Sequence, residues 1–284
     1  MTLLYQQAPN QTVTAADGTV FAYREFGQTD STATPVVLFV HLAATLENWD
    51  PRLVDQIGAH HRVIAFDNKG VGGSSGKVPT SIKGMADQAL NFIDAMGLTR
   101  IKLFSFSLGG FIAQEVVEQR PELVEKLVLT GTGGRGGAGI SQVVGVTFAD
   151  IARALIARTD PKRYLFFNHD AAGGAAAQEF LDSINARTLD KDQPMSTLGF
   201  LTQLAAIYRW GKKPKAQLAS FITMPTLIAN GDVDRMVPTE NSYELHHRIP
   251  GSELVIYENS GHGGVFQYHR EFGAKLVDFL ADEN

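Results

Sequence analysis

Three side chains in this 284-residue sequence have the chemistry of a nucleophile, a base and an orienting acid: Ser107, His262 and Asp234. A serine hydroxyl is a poor nucleophile near neutral pH, so an imidazole must remove its proton during attack. A carboxylate must then hold that imidazole in the correct tautomer and stabilise it once it is charged. Ser107 sits in Leu103-Phe104-Ser105-Phe106-Ser107-Leu108-Gly109-Gly110, between an apolar run opening at Ile101 and a helix-like segment, Phe111 to Gln119. Small residues two positions before and after it, Ser105 and Gly109, are what a tight strand-to-helix turn requires to lift the hydroxyl clear of a sheet. A Gly-rich turn can also be purely structural, and Asp232 competes with Asp234 for the acid's role.

These residues need elements that place them together. Thr19 to Arg24, Val36 to Val40, Val63 to Phe66, Ile101 to Phe106, Leu127 to Leu129, Thr226 to Ala229 and Glu253 to Tyr257 read as strands, with a short one at Val13 to Ala15 across an Asp17-Gly18 turn. Most are continuous apolar runs, the mark of strands buried on both faces of a parallel sheet. Helical patterns separate them: Asn48 to Ile57, a stripe from Ile82 to Met96 capped by Thr80 or Ser81, Phe111 to Gln119, Pro238 to His247 and Arg270 to Leu280. Gly27 to Pro35 is a polar loop. In an open α/β sheet, functional residues collect at the carboxyl ends of strands, and Ser107, Asp234 and His262 each follow a strand there.

The alternation breaks after the Gly-rich stretch Thr130 to Gly139. Helices are expected at Val143 to Arg158, Ala175 to Asn185 and Thr197 to Trp210, with Phe166-Phe167 and Ala171 to Ala177 between them. The domain plan is therefore an α/β core at residues 1–133, a helical lid at 134–216, and the rest of the core at 217–284. Phe148, Phe166, Phe167, Phe200, Tyr208 and Trp210 either form the lid's own core or, for one or two of them, line an apolar pocket.

Composition narrows the function. Net charge is −5 with mixed signs, which gives no basic surface for nucleic acid and no basic membrane patch. The longest unbroken apolar run, Pro35 to Val40, is too short to span a bilayer. The absence of Cys removes thiolate nucleophiles, disulfides and zinc-thiolate sites. With no leader-like start over Met1 to Thr14, the expectation is a cytoplasmic protein, monomeric or homodimeric. The Gly-rich turn from Asp67 to Ser75 lacks the spacing of a phosphate loop. No cofactor and no metal are called for: His41 could be a ligand, but no ligand cluster accompanies it, and a supporting hydrogen-bond role fits better. His60, His61, His246 and His247 lie near helix ends and are expected on the surface.

In its motifs and their order the sequence resembles the α/β-hydrolase superfamily over almost its full length. His41-Leu42 stands where that family has His-Gly, Asp67 to Ser74 matches Asp-x-x-Gly-x-Gly-x-Ser, and Ser105 to Gly109 matches the nucleophile elbow. Gly231 to Pro238 matches Gly-x-x-Asp-x-x-x-Pro, a register that selects Asp234, and Gly261-His262 matches the histidine loop. The resemblance implies a mostly parallel eight-stranded sheet flanked by helices, with an inserted lid. It also implies an oxyanion hole made by the backbone N–H groups of Leu42 and Leu108, with His41 and Phe106 supporting the site or lining its pocket, and a structural Asp67 in a loop that braces the elbow. Leu42 and Ser105 are departures, since the family usually has Gly at both.

The reaction follows by subtraction within that family. Haloalkane dehalogenases and epoxide hydrolases use Asp where this sequence has Ser107. Carbon–carbon hydrolases usually have Asn at the position of Phe106, and proline-selective peptidases a Trp-Gly-Gly stretch. What remains is an esterase or lactonase acting on a small or medium ester, with two alternatives: a cofactor-free perhydrolase or haloperoxidase using the same triad, and a hydrolase-fold protein that binds its ligand without turnover.

Overall fold

The computed structural model describes residues 2–29, 32–188 and 190–281. Residues 30 and 31 of the expected loop at 27–35 lie outside them, as do both ends of the expected domain plan. Eight strands form one sheet: β1 (Gln11–Thr14), β2 (Val20–Gly27), β3 (Val36–Phe39), β4 (Arg62–Phe66), β5 (Ile101–Phe106), β6 (Val124–Thr130), β7 (Thr226–Gly231) and β8 (Glu253–Tyr257). Their order is β1-β2-β4-β3-β5-β6-β7-β8. β2 runs antiparallel to β1 and β4, and the other pairings are parallel. This is the mostly parallel sheet that the continuous apolar runs implied.

Even a fully buried strand keeps its two-residue period. In β3, Val37 and Phe39 enter one core, and Val36 and Leu38 the other. The first core is closed by α2 (Ile82–Ala95) and α3 (Leu108–Gln119), through Phe92, Ile93, Phe111 and Val116. The second is closed by α1 (Pro51–Gly58) and the C-terminal helix, through Leu53, Ile57, Phe272 and Leu276. Each large apolar side chain so buried contributes roughly 1.5–3 kcal/mol.

Local chemistry sets the helix boundaries. Asp50 caps α1 by accepting from the Arg52 N–H at 3.0 Å, so the helix starts at Pro51 and Trp49 turns into the core. Ser81, not Thr80, caps α2 through the Gly84 N–H, 3.1 Å away. His61 departs from expectation: it is buried, because β4 begins at the next residue and draws it inward. His60, His246 and His247 are exposed as expected.

Among the described residues four α-helices lie between β6 and β7: α4 (Val143–Ala157), α5 (Lys162–Leu165), α6 (Ala171–Asn185) and α7 (Thr197–Lys212). The Ala/Gly stretch from Ala171 was expected between helices but forms the first turns of α6. Asp170 accepts from the Gly173 N–H at 2.7 Å, and alanine supplies the best intrinsic helix propensity. Among the described residues one helical stretch, Ile140–Ala157, is long and apolar enough by composition to cross a membrane. Asp150 and Arg153 interrupt it, so a search for unbroken apolar runs passes over it. After β7 come α8 (Glu240–Arg248), α9 (Gly264–Gln267) and α10 (His269–Leu280). Phe166, Phe167 and Trp210 are buried, whereas Phe148 and Tyr208 lie on the surface.

Candidate active site

Ser107 joins β5 to α3 with φ 57° and ψ −118°, a backbone that a non-glycine residue adopts only when its surroundings enforce it. The enforcement is visible. The Ser107 N–H donates to the Thr130 carbonyl at 2.9 Å, and the Thr132 hydroxyl donates to the Ser107 carbonyl at 2.9 Å. A Cβ on Gly109 would overlap the Phe39 carbonyl, at 2.5 Å from its carbon, and one on Gly110 would meet Thr132 at 2.5 Å. Ser105, the departure within the turn, is fully buried and satisfied: its hydroxyl donates to the Val128 carbonyl on β6 at 2.7 Å.

His262, in the loop after β8, places Nε2 2.9 Å from Ser107 Oγ and Nδ1 2.8 Å from Asp234 Oδ2. All three side chains are buried. A carboxylate only accepts, so Nδ1 carries the proton and Nε2 is free to accept one from Ser107. Asp234 divides its labour. Its second oxygen accepts from the Met236 and Val237 N–H groups at 2.8 and 2.9 Å, which fixes the carboxylate plane. Asp232, the competing acid, points elsewhere: it accepts from the Asn259 and Ser260 N–H groups at 3.0 and 3.1 Å and so holds the loop that carries His262.

The resemblance-based residues surround this chain. Leu108 opens α3, and the Leu108 and Leu42 N–H groups have no acceptor among the described residues. A helix N-terminus favours developing negative charge. Leu42 is half-buried, with its side chain packed against the core, so the departure from Gly leaves its amide open. Phe106 lies against the His262 ring at 4.9 Å between centroids, and against His41 at 5.5 Å. His41 is buried, and burial, with the nearby Lys162 charge, holds its pKa down at about 3. It is therefore neutral, and its Nδ1–H donates to the Leu42 carbonyl at 2.8 Å. Among the described residues no group of three or more His, Asp or Glu is placed to hold a metal ion. The Asp67 carboxyl accepts from the Leu46 and Gly73 N–H groups, tying two loops together, and faces the Asp192 carboxyl.

Residues that no motif singled out complete the surroundings. The Phe166 carbonyl accepts from the Gly263 N–H at 2.7 Å, and its ring lies 5.6 Å from His262. Arg235, beside the acid, reaches Asp150 of α4 at 3.0 Å. Gln203 of α7 accepts from the Ala43 N–H at 2.9 Å. A cavity of about 210 Å³ is lined by His41, Leu42, Ala43, Ile151, Phe166 and Phe200, with Thr147 and Lys162 adding polar groups. Ser107 is not part of its wall. Phe166 is among the aromatics that could line a pocket, whereas sequence periodicity marks Gln203 only as a residue of a helical region.

A family model described as alpha/beta hydrolase fold matches residues 35–267. A solved structure, an alpha/beta hydrolase fold protein from Chitinophaga pinensis, is 34% identical with a TM-score of 0.89, covering 98% of this chain and 99% of that one. A poly(3-hydroxyalkanoate) depolymerase of Ectopseudomonas oleovorans is 29% identical over 88% of this chain and 85% of its own length. A protein provisionally named carbamate hydrolase RutD, from Agrobacterium fabrum, is 25% identical over 89% of this chain and 95% of its own length.

Proposed function

Since this chain belongs to the alpha/beta hydrolase family, we propose that it is a serine hydrolase cleaving a small or medium carboxylic ester or lactone through an acyl-enzyme on Ser107. The observation that carries this reading is the continuous hydrogen-bonded chain from Ser107 through His262 to Asp234, at 2.9 and 2.8 Å. His262 Nε2 takes the Ser107 proton as Oγ bonds to the substrate carbonyl carbon. The oxyanion that forms accepts from the Leu42 and Leu108 N–H groups. Asp234 stabilises the imidazolium. His262 then gives its proton to the leaving alcohol oxygen as the carbon–oxygen bond breaks. In the second half, His262 takes a proton from water, the hydroxide attacks the acyl carbon, and Ser107 leaves with the proton returned.

The cavity supports a modest substrate. At about 210 Å³ it is below the roughly 300–1,000 Å³ of pockets for drug-sized ligands, and Ile151, Leu165, Phe166 and Phe200 make its wall largely apolar. The helices between β6 and β7 act as a lid in this reading, because Ile151 and Phe200 come from them and Phe166 directly follows α5. The carbamate and polyester in the relatives' names are both acyl donors to which the same two steps apply.

The test is turnover of p-nitrophenyl esters of graded chain length, simple lactones and an aryl carbamate by wild type beside Ser107→Ala. Ester or lactone hydrolysis lost in the variant supports the proposal. Peroxide- and acetate-dependent halogenation without ester turnover would favour a perhydrolase. Saturable binding of these compounds without turnover would favour a ligand-binding protein.

A further inference from the structure

We infer that Gln203, on α7, is a positioning residue that sets the oxyanion loop from within the insertion. The inference rests on the serine-hydrolase reading and deepens it by making the helices after β6 part of the catalytic apparatus as well as a cover.

The Leu42–Ala43 peptide unit is held at both ends. Its carbonyl accepts from His41 Nδ1 at 2.8 Å, and its N–H donates to Gln203 Oε1 at 2.9 Å across 160 positions of sequence. A backbone N–H only donates, so the amide oxygen of Gln203, not its nitrogen, faces the loop. Gln203 is 1% exposed and sits among Phe200, Leu204, Ala206 and Ile207 on an otherwise apolar helix face. A polar side chain buried that deeply is retained where it is hydrogen-bonded, and the acceptor here is spent on the loop. Ala43 has φ +60°, a left-handed backbone that alanine keeps only under external constraint. The adjoining Leu42 N–H has no acceptor among the described residues, and β3, which leads into this loop, is the direct neighbour of β5, which leads into Ser107. Oxyanion stabilisation depends on donors oriented before the charge develops. Holding the Leu42–Ala43 peptide in place thus fixes the direction of the Leu42 donor, and α7 transmits its own position to the reacting carbonyl.

The experiment compares wild type with Gln203→Met, which keeps length but removes the acceptor, and Gln203→Glu, which keeps an acceptor oxygen at the same reach. The measurements are kcat and KM on the best ester, inhibition by a trifluoromethyl ketone that forms a tetrahedral adduct, inhibition by the matching unreactive alcohol, and deuterium exchange of the peptide containing residues 41–45. In Gln203→Met, kcat falls about tenfold, a fraction of the effect of deleting a donor outright. KM and alcohol inhibition stay within about twofold, ketone affinity falls in step with kcat/KM, and the loop exchanges faster; Gln203→Glu recovers the slow exchange. Unchanged kcat and ketone affinity at normal stability would overturn the inference, as would a rise in kcat, which would mean that Gln203 competes with the substrate carbonyl. Loop exchange is read without substrate, so failure of the hydrolase reading, seen as an inert wild type, remains distinct from failure of this one.

Discussion

Replacing Asp234 by Asn should abolish most activity while leaving the fold intact. One Asp234 oxygen accepts from Met236 and Val237 N–H at 2.8 and 2.9 Å, and the asparagine carbonyl can keep both bonds. Its NH2 then faces His262 Nδ1, which the wild-type carboxylate meets at 2.8 Å. An NH2 donates, so Nδ1 must become the acceptor and the ring proton moves to Nε2. That nitrogen lies 2.9 Å from Ser107 Oγ and can no longer take the serine proton. The expected loss in kcat is about 10,000-fold, or about 5.5 kcal/mol in the barrier. Asp234→Ala loses the same activity and in addition strands two buried N–H groups at about 1–3 kcal/mol each, so it should be destabilised by roughly 2–6 kcal/mol. Steady-state kinetics on the best ester and urea unfolding separate the two effects. The neighbouring Asp232→Asn should cost less than about tenfold in kcat, since Asp232 only holds the loop that carries His262. A loss below tenfold in folded Asp234→Asn, or a larger loss in Asp232→Asn, would refute the assignment of the acid.

Two further perturbations test what holds the site. Gly109→Ala drives a Cβ into the Phe39 carbonyl of β3 and should destabilise the protein by about 3 kcal/mol or prevent folding, whereas Gly145→Ala on α4, where a Cβ meets no atom within 4 Å, should stabilise it by about 0.5–1 kcal/mol; urea midpoints that do not separate in this way would contradict the close approach of elbow and β3. Burial and the facing Asp192 carboxyl raise the pKa of Asp67 well above the ordinary carboxylate range. Folded Asp67 therefore keeps a proton that the unfolded chain has released above its carboxylate pKa of about 3.9, so this pair's contribution to stability falls as pH rises from there through the raised value. Asp192→Asn, whose NH2 can donate to Asp67, removes the Asp192 contribution but not that of burial, so it should lessen that slope and raise the urea midpoint at pH 8 more than at pH 5; an equal shift at both values would show that Asp192 does not contribute to it.

The sheet and the three central residues were readable because their signals are local. Buried parallel strands write themselves as apolar runs, and a strained turn needs small residues at fixed offsets. Asp234 was separable from Asp232 only by motif register, and the geometry shows why composition could not separate them: both are carboxylates in one turn, each serving backbone N–H groups. His61 was misread because one residue of strand register decides between surface and core. The start of α6 was missed because an Ala/Gly tract reads as a linker until Asp170 is seen to cap it. The segment between β6 and β7 hid the most. Phe166 and Gln203 contact loops 95 or more positions away in sequence, and no local periodicity reports those partners.

The central claim is that Ser107 is an activated nucleophile, and covalent labelling tests it most directly. Wild type and Ser107→Ala are treated with a small fluorophosphonate, and intact mass is recorded with and without the best ester as competitor. The account predicts one stoichiometric phosphonyl adduct on wild type, none on the variant, and protection by the ester. A folded wild type that takes no adduct, or a Ser107→Ala protein that takes it equally, would contradict the account.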